Sequence, residues 1–245
     1  MRRLLPDPGA TSVGEQLDGL DLVSRSHQHR PYVVTNFALT LDGRATLHGR
    51  SGPIGSDTDT EMLVGLRTKV DAVMIGAGTM RVERYGPIAP NPEALAARER
   101  QGLASDPLAV IVSGRLDLPW DASLFTEGRG EVLVFTTSEA EPPESETQVR
   151  VVRHAGRIDL AAALEQLRAE HGVRALLCEG GPRLHAQLLE AGLVDELFVT
   201  HAAKLAGGEG PTIAVGLSEL ERPLELVWLL DQDSELFARY RVPHA

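Results

Sequence analysis

Apolar positions recur along this chain in two rhythms, and their alternation predicts most of its elements. A β-rich run covers residues 31–40, with Tyr32, Val33, Val34, Thr35 and Phe37. Short apolar runs bounded by turn residues predict buried strands over 70–75, 108–112, 131–136, 173–178 and 196–201. Between them, apolar residues at helical spacing predict helices over 57–67, 92–101, 160–171 and 182–191, with a shorter one over 13–23. Start and stop signals fit these limits. Ser56 stands where an N-cap belongs, Asp59 follows at the capping-box position, and Met62, Leu63 and Leu66 form one face. Gly102 and Gly172 close two of the helices. Residues 141–146 read as a polar loop, and 224–230 and 236–242 as two late β-runs.

Strands that alternate with helices imply a three-layer α/β fold on a mostly parallel sheet. The two late runs predict an antiparallel hairpin at its edge. Residues 1–29, rich in Pro, Gly and Asp, read as an N-terminal extension, and 30–245 as one domain. In open sheets of this kind ligands bind beyond the carboxyl ends of the strands, so residues just after each strand carry the interest.

Composition narrows the partners. The 245 residues are 42% hydrophobic and 24% charged, with a net charge of -11. An acidic surface does not attract nucleic acid or an anionic membrane, although a local site for a small anion remains open. Arg2, Arg3, Leu4 and Leu5 run straight into Pro6 and Asp7, so no secretory hydrophobic stretch opens the chain. There is no apolar run long enough for a membrane span. Cys178 is the single cysteine, which rules out an intrachain disulfide, and its apolar neighbours read as packing around a core thiol. The expected setting is the cytoplasm.

Four places could carry chemistry. Glu179-Gly180-Gly181-Pro182 follows an apolar strand and opens a helix. The glycines allow close backbone approach, Pro182 suits the first helical position, and the free N–H groups of the helix end could hold a phosphate. A tight strand-to-helix turn without ligand reads the same way. Gly76-Ala77-Gly78-Thr79 follows another strand and matches part of a dinucleotide fingerprint. Ser113-Gly114-Arg115 follows a third; a hydroxyl and a guanidinium there could hold a 2′-phosphate, or form a solvated turn. Leu41-Asp42-Gly43 is a hairpin signal, and Asp42 is equally a carboxylate that could face a heterocycle. No phosphate-binding P-loop or esterase elbow is present, and neither the scattered histidines nor the acidic run 57–61 makes a metal site.

Residues 37–44, Phe-Ala-Leu-Thr-Leu-Asp-Gly-Arg, resemble the opening signature of the reductase domain of bifunctional riboflavin deaminase-reductases. Ser51, Ile54-Gly55-Ser56, Arg67, residues 73–79, Ile111-Val112-Ser113 and residues 178–182 follow in the family's order. The resemblance covers about residues 31 to 242 and lacks the zinc deaminase domain, as in the stand-alone pyrimidine reductases. It implies a dihydrofolate-reductase-like fold, NADPH as hydride donor, and a phosphorylated pyrimidine, 5-amino-6-(5-phosphoribosylamino)uracil, reduced to its ribitylamino product. Cofactor contacts would fall on Leu39, Pro53, Thr79, Glu83, Ser113 and residues 181–187, which include Gly181, Pro182, Arg183 and Leu184; Gly76, Gly78, Gly180 and Arg115 join them from the turns read above. Substrate contacts would fall on Asp42, Ser51, Arg67 and Glu179, with Arg67 gripping a phosphate and Asp42 or Glu179 assisting catalysis. A homodimer is part of the same expectation.

The chain departs from that pattern on the substrate side. Asn36 stands where the bifunctional enzymes usually carry a lysine, and Glu83-Arg84-Tyr85 replaces an Asp-Asp-Pro. A pterin reductase and a non-catalytic nucleotide-binding protein therefore stay open as alternatives.

Overall fold

The computed structural model describes residues 1–216 and 218–243; residues 217, 244 and 245 of the expected 30–245 domain lie outside the described residues. Its centre is an 11-stranded sheet. From the middle outward on one side run β3 (Tyr32–Thr40), β8 (Ala175–Cys178), β4 (Ala72–Gly76), β5 (Leu108–Val112), β6 (Glu131–Thr136) and β7 (Gln148–Arg153), all parallel. On the other side β9 (Glu196–Ala202) pairs parallel with β3. It is followed by β11 (Glu235–Arg241), β10 (Glu225–Gln232), β1 (Arg2–Leu5) and β2 (Gly9–Ala10), all antiparallel.

The parallel strands are aliphatic on both faces because helices cover both. On one face Val34, Leu177, Val73 and Ile75 pack with α1 (Val13–Asp18) and α2 (Asp57–Arg67) through Leu17, Met62 and Leu66. On the other, Val33, Leu176, Met74 and Cys178 pack with α6 (Leu160–Glu170) and α7 (Pro182–Glu190) through Leu164, Leu167, Leu184 and Leu188. Burial pushes the Cys178 thiol up to about 12, as expected of a packed, unreactive cysteine. No helix among the described residues is long and apolar enough to cross a membrane.

Three expectations need correction. The C-terminal hairpin is antiparallel as read, but it is not the sheet's edge: β1 pairs with β10 and β2 lies outside it. Residues 1–29 supply those strands, and Val13, Leu17, Leu20 and Leu22 of this segment are core residues. The helix expected over 13–23 ends at Asp18, and a separate 3-10 turn covers Val23–Arg25. At α2, Ser56 caps the Asp59 amide as predicted, but the reciprocal arm of the capping box is missing. The shorter Asp59 side chain turns instead toward Thr200, Lys204 and Glu235. The full box forms at Ser12 and Glu15, where glutamate has the reach.

Candidate active site

Sheet register places the central residues. Thr35 is level with Cys178, and Cys178 with Met74. One step further on, Asn36 and Glu179 stand on adjacent strands, on the face covered by α2. Glu179 is held at that level by its amide, which donates to the Met74 carbonyl at 3.0 Å. Arg67, on the last turn of α2, crosses to Glu179 with a two-pronged contact: Nε to Oε1 at 2.6 Å and Nη2 to Oε2 at 2.7 Å. Its third arm donates to the Ile88 carbonyl at 3.2 Å. Both side chains are largely out of solvent. Burial works to lower the Arg67 pKa, but the charge and hydrogen bonds of Glu179, with Tyr85 beside it, together outweigh that and raise it.

Arg67 therefore does not present a free guanidinium to a phosphate, as the sequence suggested. Its forked donors are committed to Glu179, and the pair acts as a fixed polar wall. Two groups complete that wall. The Arg67 guanidinium lies 5.6 Å from the centre of the Tyr85 ring, and the Tyr85 hydroxyl is pushed well above its ordinary pKa by burial and then by the Glu179 charge. Beside Glu179, the Oδ1 of Asn36 is buried and has no hydrogen-bond partner among the described residues. A buried acceptor left open is costly inside a protein, and a ligand that donates to it removes the cost. Tyr85 was missed as a site residue because it follows α3 (Ala77–Glu83), a helix the glycine-rich start of that segment concealed.

The two glycine turns meet at the adjoining edge. The Gly76 amide donates to the Gly180 carbonyl at 2.6 Å, and the Gly180–Gly181 peptide is cis. A Cβ on Gly181 would stand 2.6 Å from Thr79 Oγ1, and one on Gly76 would stand 3.1 Å from the Gly181 nitrogen. Gly180, at φ +93, packs its backbone on the Phe37 ring. Only glycine allows this interlock. It brings the N-terminus of α7, where Gly181 offers no side-chain cap, beside that of α3, where Gly76 offers none. Backbone amides at both ends and the absence of side chains make a cradle that fits the pyrophosphate of a dinucleotide. Pro182, Arg183 and Leu184 form the first turn of α7, with Arg183 exposed and Leu184 in the core. Ser113 is buried at the end of β5, one strand from Gly76, and Arg115 is exposed beyond it.

The remaining predicted residues take other partners. The Ser51 amide and hydroxyl both donate to Glu83 at 2.8 Å. Lys204 donates to the carbonyls of Pro53 and Ile54 at 2.9 and 2.7 Å. Leu39 is half-buried and level with His201. β3 runs four residues past Asn36, roughly 13 Å of strand, before the turn that carries Asp42. Asp42 is exposed there and takes hydrogen bonds from the Ala206 and Gly207 amides and the Thr40 hydroxyl, at 3.0, 2.8 and 2.7 Å. These hold its carboxyl well below the usual range. The structure thus does not join Asp42 and Glu179 into one carboxylate pair. Lys204, the tether of the 53–54 backbone, had no signal beyond a lone cation after a strand.

The family described as the RibD C-terminal domain matches residues 31–234. The 2,5-diamino-6-ribosylamino-4(3H)-pyrimidinone 5′-phosphate reductase of Archaeoglobus fulgidus is 32% identical over 201 residues, which is 79% of this chain and 90% of that protein. A pyrimidine reductase-like protein of Corynebacterium diphtheriae superposes with a TM-score of 0.79 over 96% of this chain and 100% of its own, at 23% identity. The diaminohydroxyphosphoribosylaminopyrimidine deaminase/5-amino-6-(5-phosphoribosylamino)uracil reductase of Thermotoga maritima superposes with a TM-score of 0.71 over 87% of this chain and 57% of that one, at 25% identity.

Proposed function

Because the chain belongs to the RibD C-terminal domain family, we propose that it is an NADPH-dependent oxidoreductase that reduces the sugar chain of 5-amino-6-(5-phosphoribosylamino)uracil in riboflavin biosynthesis. The observation that carries the reading is the adjacency of two features at one sheet edge. The glycine cradle of Gly76 and Gly181 touches, through Glu179 and Gly180, the polar wall of Arg67, Glu179 and Asn36. When bound, the nicotinamide supplies the hydride. The chain's own part is to fix geometry: the cradle sets the cofactor's position, and the Arg67–Glu179 fork keeps a carboxylate in one orientation beside Asn36. Asn36 Oδ1 accepts a hydrogen bond from a hydroxyl or N–H of the substrate. Asp42 keeps the 206–207 backbone over the end of β3 and takes no proton at neutral pH.

A second ring chemistry has support of its own. The A. fulgidus relative is named for the 2,5-diamino pyrimidinone, whose ring carries an amino group where the uracil carries an oxygen. Both compounds share the phosphorylated ribosylamino chain on which the reaction takes place. The test is loss of absorbance at the nicotinamide band when the protein is mixed with NADPH and each pyrimidine in turn. Steady oxidation with the uracil compound supports the proposal. Oxidation with the diamino compound alone moves the substrate one deamination earlier, and oxidation with dihydrofolate alone makes this a pterin reductase. A homodimer and a cytoplasmic setting belong to the same proposal, and light scattering of the purified protein tests the first.

A further inference from the structure

The carboxyl ends of β5 and β6 continue into a cavity of about 670 Å³ on the α6–α7 side of the sheet. Its lining includes Val112 and Gly114 after β5, Thr137 after β6, Arg157 from the loop before α6, and Gln187 on α7. The volume lies within the range of small-ligand sites. The cavity begins one strand away from the Gly76 turn, and adjacent strands are spaced by ~5 Å. A dinucleotide whose pyrophosphate rests on the glycine cradle therefore has one direction in which its other half can run, toward Val112 and Gly114.

The charges in this cavity are unequal in their commitments. The Asp159 carboxylate caps α6 by accepting from the Ala161 and Ala162 amides at 3.0 and 3.2 Å. Glu190 accepts from the Ser218 hydroxyl at 2.9 Å. Arg157 has no hydrogen-bond or ion-pair partner for its guanidinium among the described residues. Among the described residues it is the one cation of the lining, whereas Arg115 lies outside it. We propose that this cavity holds the adenosine half of the cofactor and that Arg157, not Arg115, binds a 2′-phosphate and selects NADPH over NADH. The inference rests on the reading of the chain as a nicotinamide-dependent reductase. It adds a discriminating residue on a loop that the sequence did not mark.

The probe is adenosine 2′,5′-bisphosphate, titrated calorimetrically into the wild-type chain, Arg157→Gln, Arg157→Lys and Arg115→Gln, with adenosine 5′-monophosphate in parallel. Loss of one charge-assisted phosphate contact is expected to weaken the bisphosphate by about 10-fold to 100-fold in Arg157→Gln. The monophosphate should bind this variant as it binds the wild type. Arg157→Lys should recover part of the loss and Arg115→Gln should show none. In turnover, Arg157→Gln should lose the preference for NADPH by a similar factor while the rate with NADH holds. Equal bisphosphate affinity in wild type and Arg157→Gln, or the loss appearing in Arg115→Gln instead, overturns the assignment. If NADPH is still oxidised with the pyrimidine in that case, only this inference fails. If the wild-type chain binds neither the bisphosphate nor NADPH, the reductase reading fails with it.

Discussion

The same ion-pair device is built twice near the middle of the sheet, on the two strands that flank β3, and it is used differently at each. At the amino end of β9, Glu196 receives the Arg239 fork at 2.8 and 2.9 Å, and Arg239 lies 5.6 Å from the centre of the Phe198 ring. At the carboxyl end of β8, Glu179 receives the Arg67 fork at 2.6 and 2.7 Å, and Arg67 lies 5.6 Å from the Tyr85 ring. The surroundings separate them. Glu196 takes a second arginine, Arg25 at 2.9 Å, and adjacent Asp195 takes Arg30 and His27, so this end ties the 25–33 segment into the sheet. Glu179 has one arginine, and its neighbour Asn36 keeps a buried oxygen without a partner among the described residues. One carboxylate is closed in by the chain itself. The other is left open where loops, glycine turns and helix N-termini converge, as expected for a ligand site in a parallel sheet.

Removing one partner from each pair separates the two roles. Glu196→Ala leaves two arginines without their buried carboxylate and is expected to lower unfolding free energy by about 3–5 kcal/mol. Urea denaturation followed by circular dichroism measures it; a loss near zero would mean that this clasp does not hold the segment. Arg67→Lys keeps the charge but loses the fork, so turnover with the pyrimidine should fall roughly 100-fold, while NADPH affinity measured by fluorescence stays unchanged. An equal loss in both would place Arg67 in the cofactor site instead. Gly181→Ala drives a methyl into Thr79 and should weaken NADPH binding about 10-fold or more, an effect Thr79→Ala partly relieves in the double variant. The smallest effect belongs to Asp42. Its depressed folded pKa means that the tether to 206–207 is intact above the ordinary carboxylate range and is lost as pH falls through the lower folded value. Proteolytic cutting near Ala206 should rise in acid in the wild type and already be raised at pH 7 in Asp42→Asn.

Much of this was legible in the residues because local and tertiary demands agree there. The aliphatic runs at 108–112 and 131–136 are strands on a sheet covered on both faces, and the glycines at 76–78 and 180–181 mark backbones that touch. What escaped was decided by distant partners. β7 alternates weakly, with arginines at Arg150 and Arg153, because it is an edge strand. β1 is legible only once β10 lies beside it. Arg67 looked like a phosphate ligand because nothing local reveals that Glu179, 112 residues away, takes its fork. The two carboxylates named together, Asp42 and Glu179, are separated by the length to which β3 outruns β8, a register that spacing along the chain does not encode.

On the function proposed above, the open carboxylate serves the reaction and the closed one holds structure. The most direct test compares Glu179→Gln with Glu196→Gln in one assay, following NADPH oxidation with the phosphoribosylaminopyrimidine alongside thermal unfolding. Glu179→Gln is expected to bind NADPH but to lose turnover even in its folded fraction, whatever stability the broken pair costs. Glu196→Gln is expected to unfold earlier while its folded fraction turns over at the wild-type rate. Full turnover in Glu179→Gln, or lost turnover in a fully folded Glu196→Gln, would contradict that division.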